Sequence, residues 1–550
     1  KYGVDLELTD EGAEKFKTAT EEAYNNNHDT IAIYYDGSLI SVPSVNAVIE
    51  NGKAQISGNM DYEEADNIAS TIRIGGLNLE LEELSSEVVG AQLGQDALKG
   101  SLIAGIIGLA IVCVFMCWVY LLPGLASSLA LILYTELILI LLNAFDITLT
   151  LPGIAGIILG IGMAVDANVI IFARVKEELT AGKSVHASLK SGFQKAMSAI
   201  VDGNITTLIA AGVLWLRGSG TVKGFAQTLA LGIVVSMFTA LVITRLIIFA
   251  FYGAGIHNEK VYGRHLKERK PVDFLGKKKI FFIISIILCL AGPVMMGVNH
   301  ARGIGAMNYS LDFVGGTSTN VTFDKEYTLE EIDSQMIPSL EEITGDKNIQ
   351  VQTVKDSNQV VFKTQTLDLE KREALASYLN ENYGVETSDI ATENISSTVS
   401  SEMRRDAVIA VIIATICMLL YIWFRFKDIR FATSAVVALM HDVLVVLGFY
   451  VIARVSVGNT FIACMLTIVG YSINGTIVIF DRIREALATK SRTEDLKDLV
   501  NRCITQTLTR TIYTNFTTFV MVVALYILGV SSIKEFAAPL MVGIICGGYT

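Results

Sequence analysis

The sequence predicts a polytopic α-helical membrane protein made of two pseudo-symmetric halves. Each half is expected to hold about six transmembrane helices and a ferredoxin-like α+β domain outside the cytoplasm. Three observations carry this expectation. Apolar residues make up 52% of the 550, and they gather into runs of roughly 20, the length that crosses a bilayer. Two of those runs resemble each other, Gly160-Ile-Gly-Met-Ala-Val-Asp166-Ala-Asn168-Val-Ile-Ile-Phe172-Ala-Arg174-Val-Lys-Glu177 and Val469-Gly470-Tyr-Ser-Ile-Asn474-Gly475-Thr-Ile-Val-Ile-Phe480-Asp-Arg482-Ile-Arg-Glu485. When Gly162 is set against Gly470, Phe172 meets Phe480, Arg174 meets Arg482 and Glu177 meets Glu485. Finally, Lys and Arg crowd alternate loops.

Residues 1–98 read as the first extracytoplasmic domain. Thr9-Asp10-Glu11-Gly12 starts a helix running to about Asn25, Thr30–Tyr35 is a strand, Asp36-Gly37 a turn, and Tyr62–Ile72 a second helix. Leu77–Leu84, which alternates with period two, closes a β-α-β-β-α-β unit. Residues 99–252 hold apolar stretches at 101–122, 125–143, 152–173, 200–216 and 225–252, assigned as spans 2–6. A basic linker over 253–279 leads to span 7 at 280–298. The second polar domain, 299–403, repeats the first order: a strand at Asn320–Phe323, a helix at Leu329–Ile343, a hairpin of Ile349–Val354 and Gln359–Lys363, a helix at Asp368–Tyr383 and a strand near Ile390. Residues 404–550 contain spans 8–12, at 405–424, 431–453, 460–480, 510–528 and 536–550, the last cut off at Thr550. The chain starts at Lys1 without a methionine, so no signal peptide can be sought, and symmetry places one further span before Lys1, for a total of twelve.

An even number of spans between the polar domains puts both on one side. Basic residues mark the loops after Phe172 (Arg174, Lys176, Lys183, Lys190, Lys195), at 260–279, at Arg425–Arg430 and after Phe480 (Arg482, Arg484, Lys490, Arg492, Lys497, Arg502). The loops at 144–151, 217–224 and 453–459 carry few. The positive-inside rule therefore places both domains outside the cytoplasm.

A net charge of −12, with the acidic residues concentrated in the polar domains, excludes a nucleic-acid partner. None of the seven cysteines falls in the polar domains, so no disulfide framework is indicated. No CxxC pair or metal-ligand spacing is visible, and the six histidines are scattered without a nucleophile–histidine–acid arrangement, so neither metal, cofactor nor enzyme chemistry is expected. Asp312-Phe313-Val-Gly315-Gly316-Thr317 lacks the Gly-Lys-Ser/Thr ending of a phosphate loop.

The polar residues inside the spans are the candidates for chemistry. Asp166 stands among apolar neighbours, where an ionisable group costs at least about 2.5–3.5 kcal/mol to insert, so its default reading is functional. The alternative is a carboxyl that only holds helices together. Asp166 and Asn168 match Asn474 and Thr476 across the repeat, Asn204, Thr206 and Thr207 match Asn515, Thr517 and Thr518, and Glu136 falls near the position of Asp442, which follows His441. Arg510 stands at the start of its apolar run, where the first half has Ala199. Asp166 and an arginine on a neighbouring helix can form a pair that protonation breaks. Arg510 could instead be an interfacial anchor, and the Asn and Thr residues polar glue between helices. Gly153, Gly156, Gly160 and Gly162 suit close packing.

Gly162-Met-Ala-Val-Asp166-Ala-Asn168 with Phe172-Ala-Arg174 resembles the fourth span of SecD. Gly470-Tyr-Ser-Ile-Asn474 with Phe480-Asp481-Arg482-Ile-Arg484-Glu485 resembles the matching span of SecF, Asp312–Thr317 the opening of SecF's external domain, and His441-Asp442 its next-to-central span. The chain is thereby identified as a member of the SecD–SecF family, over its whole length and in the order of a fusion. The resemblance implies the resistance-nodulation-division superfamily, a multi-pass protein of the bacterial plasma membrane and an accessory role in Sec export. The implied partners are the Sec channel, its ATPase motor, unfolded preprotein and membrane lipids. A proton or sodium gradient would drive the external domains at a late step of translocation. Carried over, Asp166 is the ion-coupling carboxylate and Arg510 its basic partner. The SecF motif continues Asn-Asp-Thr, whereas this chain reads Asn474-Gly475-Thr476, so a family carboxylate is absent at Gly475. Coupling then rests on Asp166 alone, or Asp442 or Glu136 substitutes, or the chain is inactive. The bulk of the first external domain is expected to be missing. A small-molecule or lipid exporter of the same superfamily and a non-transporting translocon scaffold are the competing readings.

Overall fold

The computed structural model describes residues 2–35, 38–75, 83–88, 91–218, 220–263, 270–346, 349–353, 357–490 and 494–550. It divides into two compact units, Lys1–Glu83 and Leu84–Thr550.

The first unit consists of β1 (Tyr2–Glu7), α1 (Asp10–Asn25), β2 (Ile33–Tyr35), β3 (Ser38–Ser41), β4 (Lys53–Met60) and α2 (Tyr62–Gly75). Thr9 caps α1 as expected, its hydroxyl accepting from the Gly12 amide. The strands form two separate antiparallel pairs, β1–β4 and β2–β3, instead of the one sheet expected of a ferredoxin-like unit. The Asp36-Gly37 turn and most of Leu77–Leu84 lie outside the described residues. β5 (Ser85–Val88), just beyond, pairs with a strand of the second polar domain. The first unit therefore ends at Glu83 and not at 98, and β5, beyond it, belongs to a longer sheet.

The eleven apolar stretches are all helical. They are α3 (Ala91–Tyr120), α4 (Leu122–Ala144), α5 (Leu151–Thr180), α6 (Val185–Arg217), α7 (Gly220–Phe238) continued through a π turn at Thr239–Ile243 into α8 (Thr244–Gly253), then, after the short α9 (Glu259–Tyr262), α10 (Lys278–Ala301). The remaining five follow the second polar domain. Ten of the described helices are long and apolar enough to cross a membrane. α6 starts well before the apolar run at 200, because hydropathy registers a helix only where its residues are apolar and misses the polar turns leading into it.

In the second polar domain α11 (Leu311–Val314) precedes β6 (Gly316–Thr322), α12 (Leu329–Gln335), α13 (Ile337–Thr344), β7 (Gln350–Thr353), β8 (Gln359–Thr364), α14 (Leu369–Tyr383) and β9 (Ile390–Ile395). The antiparallel sheet has the order β5-β9-β6-β8-β7. Without β5 this is the split βαβ arrangement read from the sequence. A capping box at Thr328 and Glu331 starts α12, and Val321, Ile332, Leu340, Phe362, Leu375 and Leu379 fill the core between sheet and helices.

The chain then forms α15 (Ser397–Phe426), α16 (Ile429–Ile452), α17 (Asn459–Ala488), α18 (Leu496–Leu528) and α19 (Ser531–Tyr549). The two look-alike helices, α5 and α17, are the most buried of the candidate spans, at 83% and 78% of their apolar windows, so they form the centre of the bundle. Each packs its matching glycine on a threonine of the opposite half. A Cβ at Gly162 would meet Thr518 Cα at 3.1 Å, and one at Gly470 would meet Thr207 Cα at 3.0 Å. Only glycine lets the helices approach so closely. The Thr207 hydroxyl donates to the Gly470 carbonyl at 3.2 Å.

Candidate functional site

The site lies between the middles of α5 and α17, with α6, α18 and α19 completing its walls. Asp166 is buried, as expected for an inward position on α5, and it lies between two small cavities. One, of about 20 Å³, is lined by Asp166, Tyr471, Asn474, Gly475, Arg510, Thr514, Asn515 and Gly547, and has room for about one water. The other, of about 10 Å³, is lined by Asp166, Ala167, Asn204, Thr207, Tyr471 and Asn474. Asp166 Oδ1, Asn474 Oδ1 and Arg510 Nη2 are buried without a hydrogen-bond partner. Buried polar atoms are nearly always paired, so several orphans converging on one cavity single it out as the candidate site.

The structure places the sequence candidates as follows. Asp166, Arg510, Asn474 and Gly475 share a cavity wall. Arg510 follows several polar turns of α18, which begins at Leu496, and its side chain lines the same cavity as Asp166. The apolar run marks only part of this helix, because its polar first turns, Leu496–Thr509, carry no hydropathy signal. Asn168 is buried but lines neither cavity. Thr476 turns back on its own helix, its hydroxyl donating to the Ser472 carbonyl at 3.5 Å, and also lines neither cavity. A Cβ at Gly475 would find only the Gly547 carbonyl oxygen, at 3.9 Å, so the position is open.

Asp442 and Glu136, paired in the sequence, differ in the fold. Glu136 is exposed on α4 and lines no cavity at Asp166, so its candidacy as a substitute fails on placement. Asp442 is fully buried on α16, which is covered by α10 through the Gly292–Gly448 contact. His441 Nδ1 lies 2.9 Å from Asp442 Oδ1, and Cys546 Sγ lies 3.1 Å from the same oxygen. The sequence shows no metal-ligand spacing, but the fold gathers these three possible ligands within 4.8 Å. The separation of Cys546 in sequence hid the cluster.

Two contributors had only a partial signal. Tyr471, inside the quoted Gly470-Tyr-Ser motif, donates its hydroxyl to Asn515 Oδ1 at 3.0 Å and lines both cavities. The repeat also pairs Arg174 with Arg482 and Glu177 with Glu485, and the structure joins all four. Arg174 reaches Glu177 at 2.9 Å and Glu485 at 3.1 Å, while Arg482 reaches Glu485 at 3.1 Å and Glu177 at 3.6 Å. Each carboxylate is shared by both guanidinium groups, so the charged ends of α5 and α17 are clasped across the two halves.

The two central helices begin differently. α5 is capped locally, the Gly153 amide donating to Thr150 Oγ1 at 3.1 Å. α17 is capped by the segment leading into the second polar domain. Asp312 accepts from the Asn459 amide at 3.0 Å, from Asn459 Nδ2 at 2.8 Å and from Ser310 Oγ at 3.0 Å. Burial pushes the Asp312 carboxyl above its usual range, against the lowering effect of the Asn459 amide and Ser310.

Comparison with known proteins bears directly on this arrangement. The family described as "Protein export membrane protein SecD/SecF, C-terminal" matches residues 73–253 and 375–550, and "SecDF, P1 head subdomain" matches residues 1–79. The protein translocase subunit SecDF of Bacillus subtilis is 35% identical, with 100% of this chain and 77% of the relative covered. The chain belongs to the SecD/SecF protein-export family. SecDF of Thermus thermophilus is 36% identical over 100% of this chain and 72% of its own length. A crystal structure described as "SecDF, a translocon-associated membrane protein", from Thermus thermophilus, has a TM-score of 0.78 at 35% identity and covers 100% of this chain and 73% of that one. A second, of SecDF in a "Super-membrane-facing form", has a TM-score of 0.65 at 34% identity, over 100% and 72%. The head match falls on residues 1–79, within the polar segment read from the sequence as the first external domain.

Proposed function

We propose that this chain is an ion-driven accessory subunit of the Sec translocase of a bacterial plasma membrane. Membership of the family supports the accessory role in protein translocation. The further reading is that a proton or sodium gradient, acting at Asp166, drives a late step in which preprotein is drawn outward. Both polar domains then stand outside the cytoplasm, as the basic loops require. The observation that carries the reading is the shared cavity. Asp166 and Arg510, from opposite halves, face one space with unpartnered atoms, so gain or loss of a charge on Asp166 changes how the halves attract. The second polar domain is tied to α17 through Asp312, which gives helix movement a route outward. In this reading the chain works beside the Sec channel and its ATPase on unfolded preprotein.

The test is preprotein release by the full chain, reconstituted with the translocon, with and without an ion gradient. Asp166→Asn is expected to insert normally and to lose the gradient-dependent part. If it exports as the parent does, Asp166 is structural and the scaffold reading stands.

A further inference from the structure

Asp442 is fully buried, near the middle of α16, in a helix long and apolar enough to cross a membrane. A carboxyl there costs at least about 2.5–3.5 kcal/mol to insert, so its retention calls for a reason. Asp202, also buried, has one: Arg425 Nε lies 2.6 Å away and Tyr421 donates to it at 2.9 Å. Asp442 has no Lys or Arg within ion-pair distance among the described residues. Its one ion-pair neighbour is His441, whose Nε2 is itself buried without a partner.

Asp442 is met by hydroxyls and a thiol from α17 and the end of α19, and by the imidazole beside it on α16. Ser472 of α17 donates to Oδ2 at 2.5 Å, and Thr550 and Cys546, at the end of α19, donate to Oδ1 at 2.5 and 3.1 Å. The titratable groups facing it are His441 on its own helix, Cys546 of α19, Tyr549 of α19 against the His441 ring, and Cys289 of α10 within electrostatic reach. The Tyr421 and Arg425 side chains of α15 are engaged with Asp202. Imidazole is thus the one group nearby that takes a positive charge near neutral pH.

The partition between Asp442 and the Asp166–Arg510 cavity is thin. Ser472, which binds Asp442, is one helical turn from Gly475 on α17. Gly475 and Gly547 both line the cavity, and Gly547 packs on Ser472, with Cβ-to-Cβ room of only 3.3 Å. No side chain stands on either glycine to separate the two places.

We propose that Asp442 and His441 form a second proton-binding site, behind α17 as seen from Asp166, and that Ser472 ties its charge state to α17. The inference rests on the ion-coupled reading above and commits that reading to protons. The step is a proton transfer with no redox change. A hydronium ion gives its proton to Oδ2 of the carboxylate, one O–H bond breaking as another forms, and water is left. Oδ2 then donates where it had accepted, so the Ser472 hydroxyl must turn its own hydrogen away, which alters the tie between α16 and α17. Release of the proton to His441 or to water restores the first state.

The experiment uses the full chain with the translocon in proteoliposomes, with gradient-dependent preprotein release followed against pH. Asp442→Asn is expected to reduce that release to the level seen without a gradient. His441→Gln is expected to keep part of it and to move the pH midpoint up by about one unit or more, because it removes an imidazolium that favours the charged form of the neighbouring carboxyl. Infrared difference spectra of the parent are expected to show a protonated-carboxyl band that Asp442→Glu shifts. That readout holds even where Asp442→Asn fails to insert. Parental release by Asp442→Asn, or a carboxyl band indifferent to Asp442→Glu, overturns the inference. Release that follows sodium and ignores pH overturns it as well. Stoichiometric zinc that copurifies with the protein and is lost in Cys546→Ser would make the cluster a metal site instead. Asp166→Asn in parallel separates the failures: if it abolishes coupling while Asp442→Asn does not, only the second site is wrong.

Discussion

α5 and α17 share a backbone plan but carry different chemistry. Gly162 and Gly470 pack alike on Thr518 and Thr207, and Arg174 with Glu177 mirrors Arg482 with Glu485 in the four-charge clasp. Between these matched ends the helices diverge. α5 holds a carboxylate at Asp166, whereas α17 holds Asn474 at the matching place and a bare Gly475 beside it. The second half keeps its carboxylate off the central helix, at Asp442, and supplies the arginine, Arg510. The comparison teaches that duplication conserves what sets helix spacing, while the polar atoms at the centre are free to specialise. A symmetric scaffold then produces one asymmetric cavity.

The largest expected effect comes from the arginine that has no counterpart in the first half. Arg510→Ala should remove the gradient-dependent part of export, measured in reconstituted vesicles, while Arg510→Lys should keep some, because it retains the charge but not the planar fork. Full activity in Arg510→Ala would mean that the halves are not electrically coupled.

The next prediction concerns the glycines that should behave alike. Gly162→Ala and Gly470→Ala each push a methyl against a threonine Cα at about 3 Å, which backbone cannot readily relieve. Each should lower stability by about 1–3 kcal/mol, the range for overpacking. Gly475→Asp should be tolerated, since its nearest neighbour is 3.9 Å away, and should raise gradient-dependent export. Thermal unfolding in detergent separates the three, and a clear loss of folded Gly475→Asp would show a tight helix contact instead of an open position.

How far this was legible depends on the range of the contacts. The spans and the second polar domain's strand order follow from local periodicity, and the repeat pairs Gly162 with Gly470 and Arg174 with Arg482 directly. The first turns of α18 were hidden because Leu496–Thr509 is polar yet helical. β5 crosses to the second domain's sheet, and Cys546 reaches Asp442 across about a hundred residues, which no local pattern can report. Glu136 and Asp442 align but part company because α10 covers α16, whereas the face of α4 that carries Glu136 is exposed.

Smaller effects are expected at the two ends of the central helices. Glu177→Gln and Glu485→Gln should weaken the clasp to a similar extent, by about 0.5–3 kcal/mol of coupling in a double-mutant cycle, and non-additively because both carboxylates serve both arginines. Asp312 should give the smallest effect. Its folded carboxyl titrates above the unfolded value of about 3.9, so its contribution is full below that value and is lost as pH rises through the folded one. Asp312→Asn, which cannot titrate, should flatten stability across that window, and an unchanged pH profile would assign the dependence to another group.

The most direct test of the asymmetric cavity moves its carboxylate from one helix to the matching place on the other. Asp166 and Asn474 face the same space as Arg510, so the double variant Asp166→Asn/Asn474→Asp keeps one carboxylate there. Gradient-dependent preprotein release should be lost in Asp166→Asn alone and should return in part in the double variant. A double variant that inserts normally but couples no better than Asp166→Asn would contradict the claim that the cavity, and not its position on α5, makes the carboxylate work.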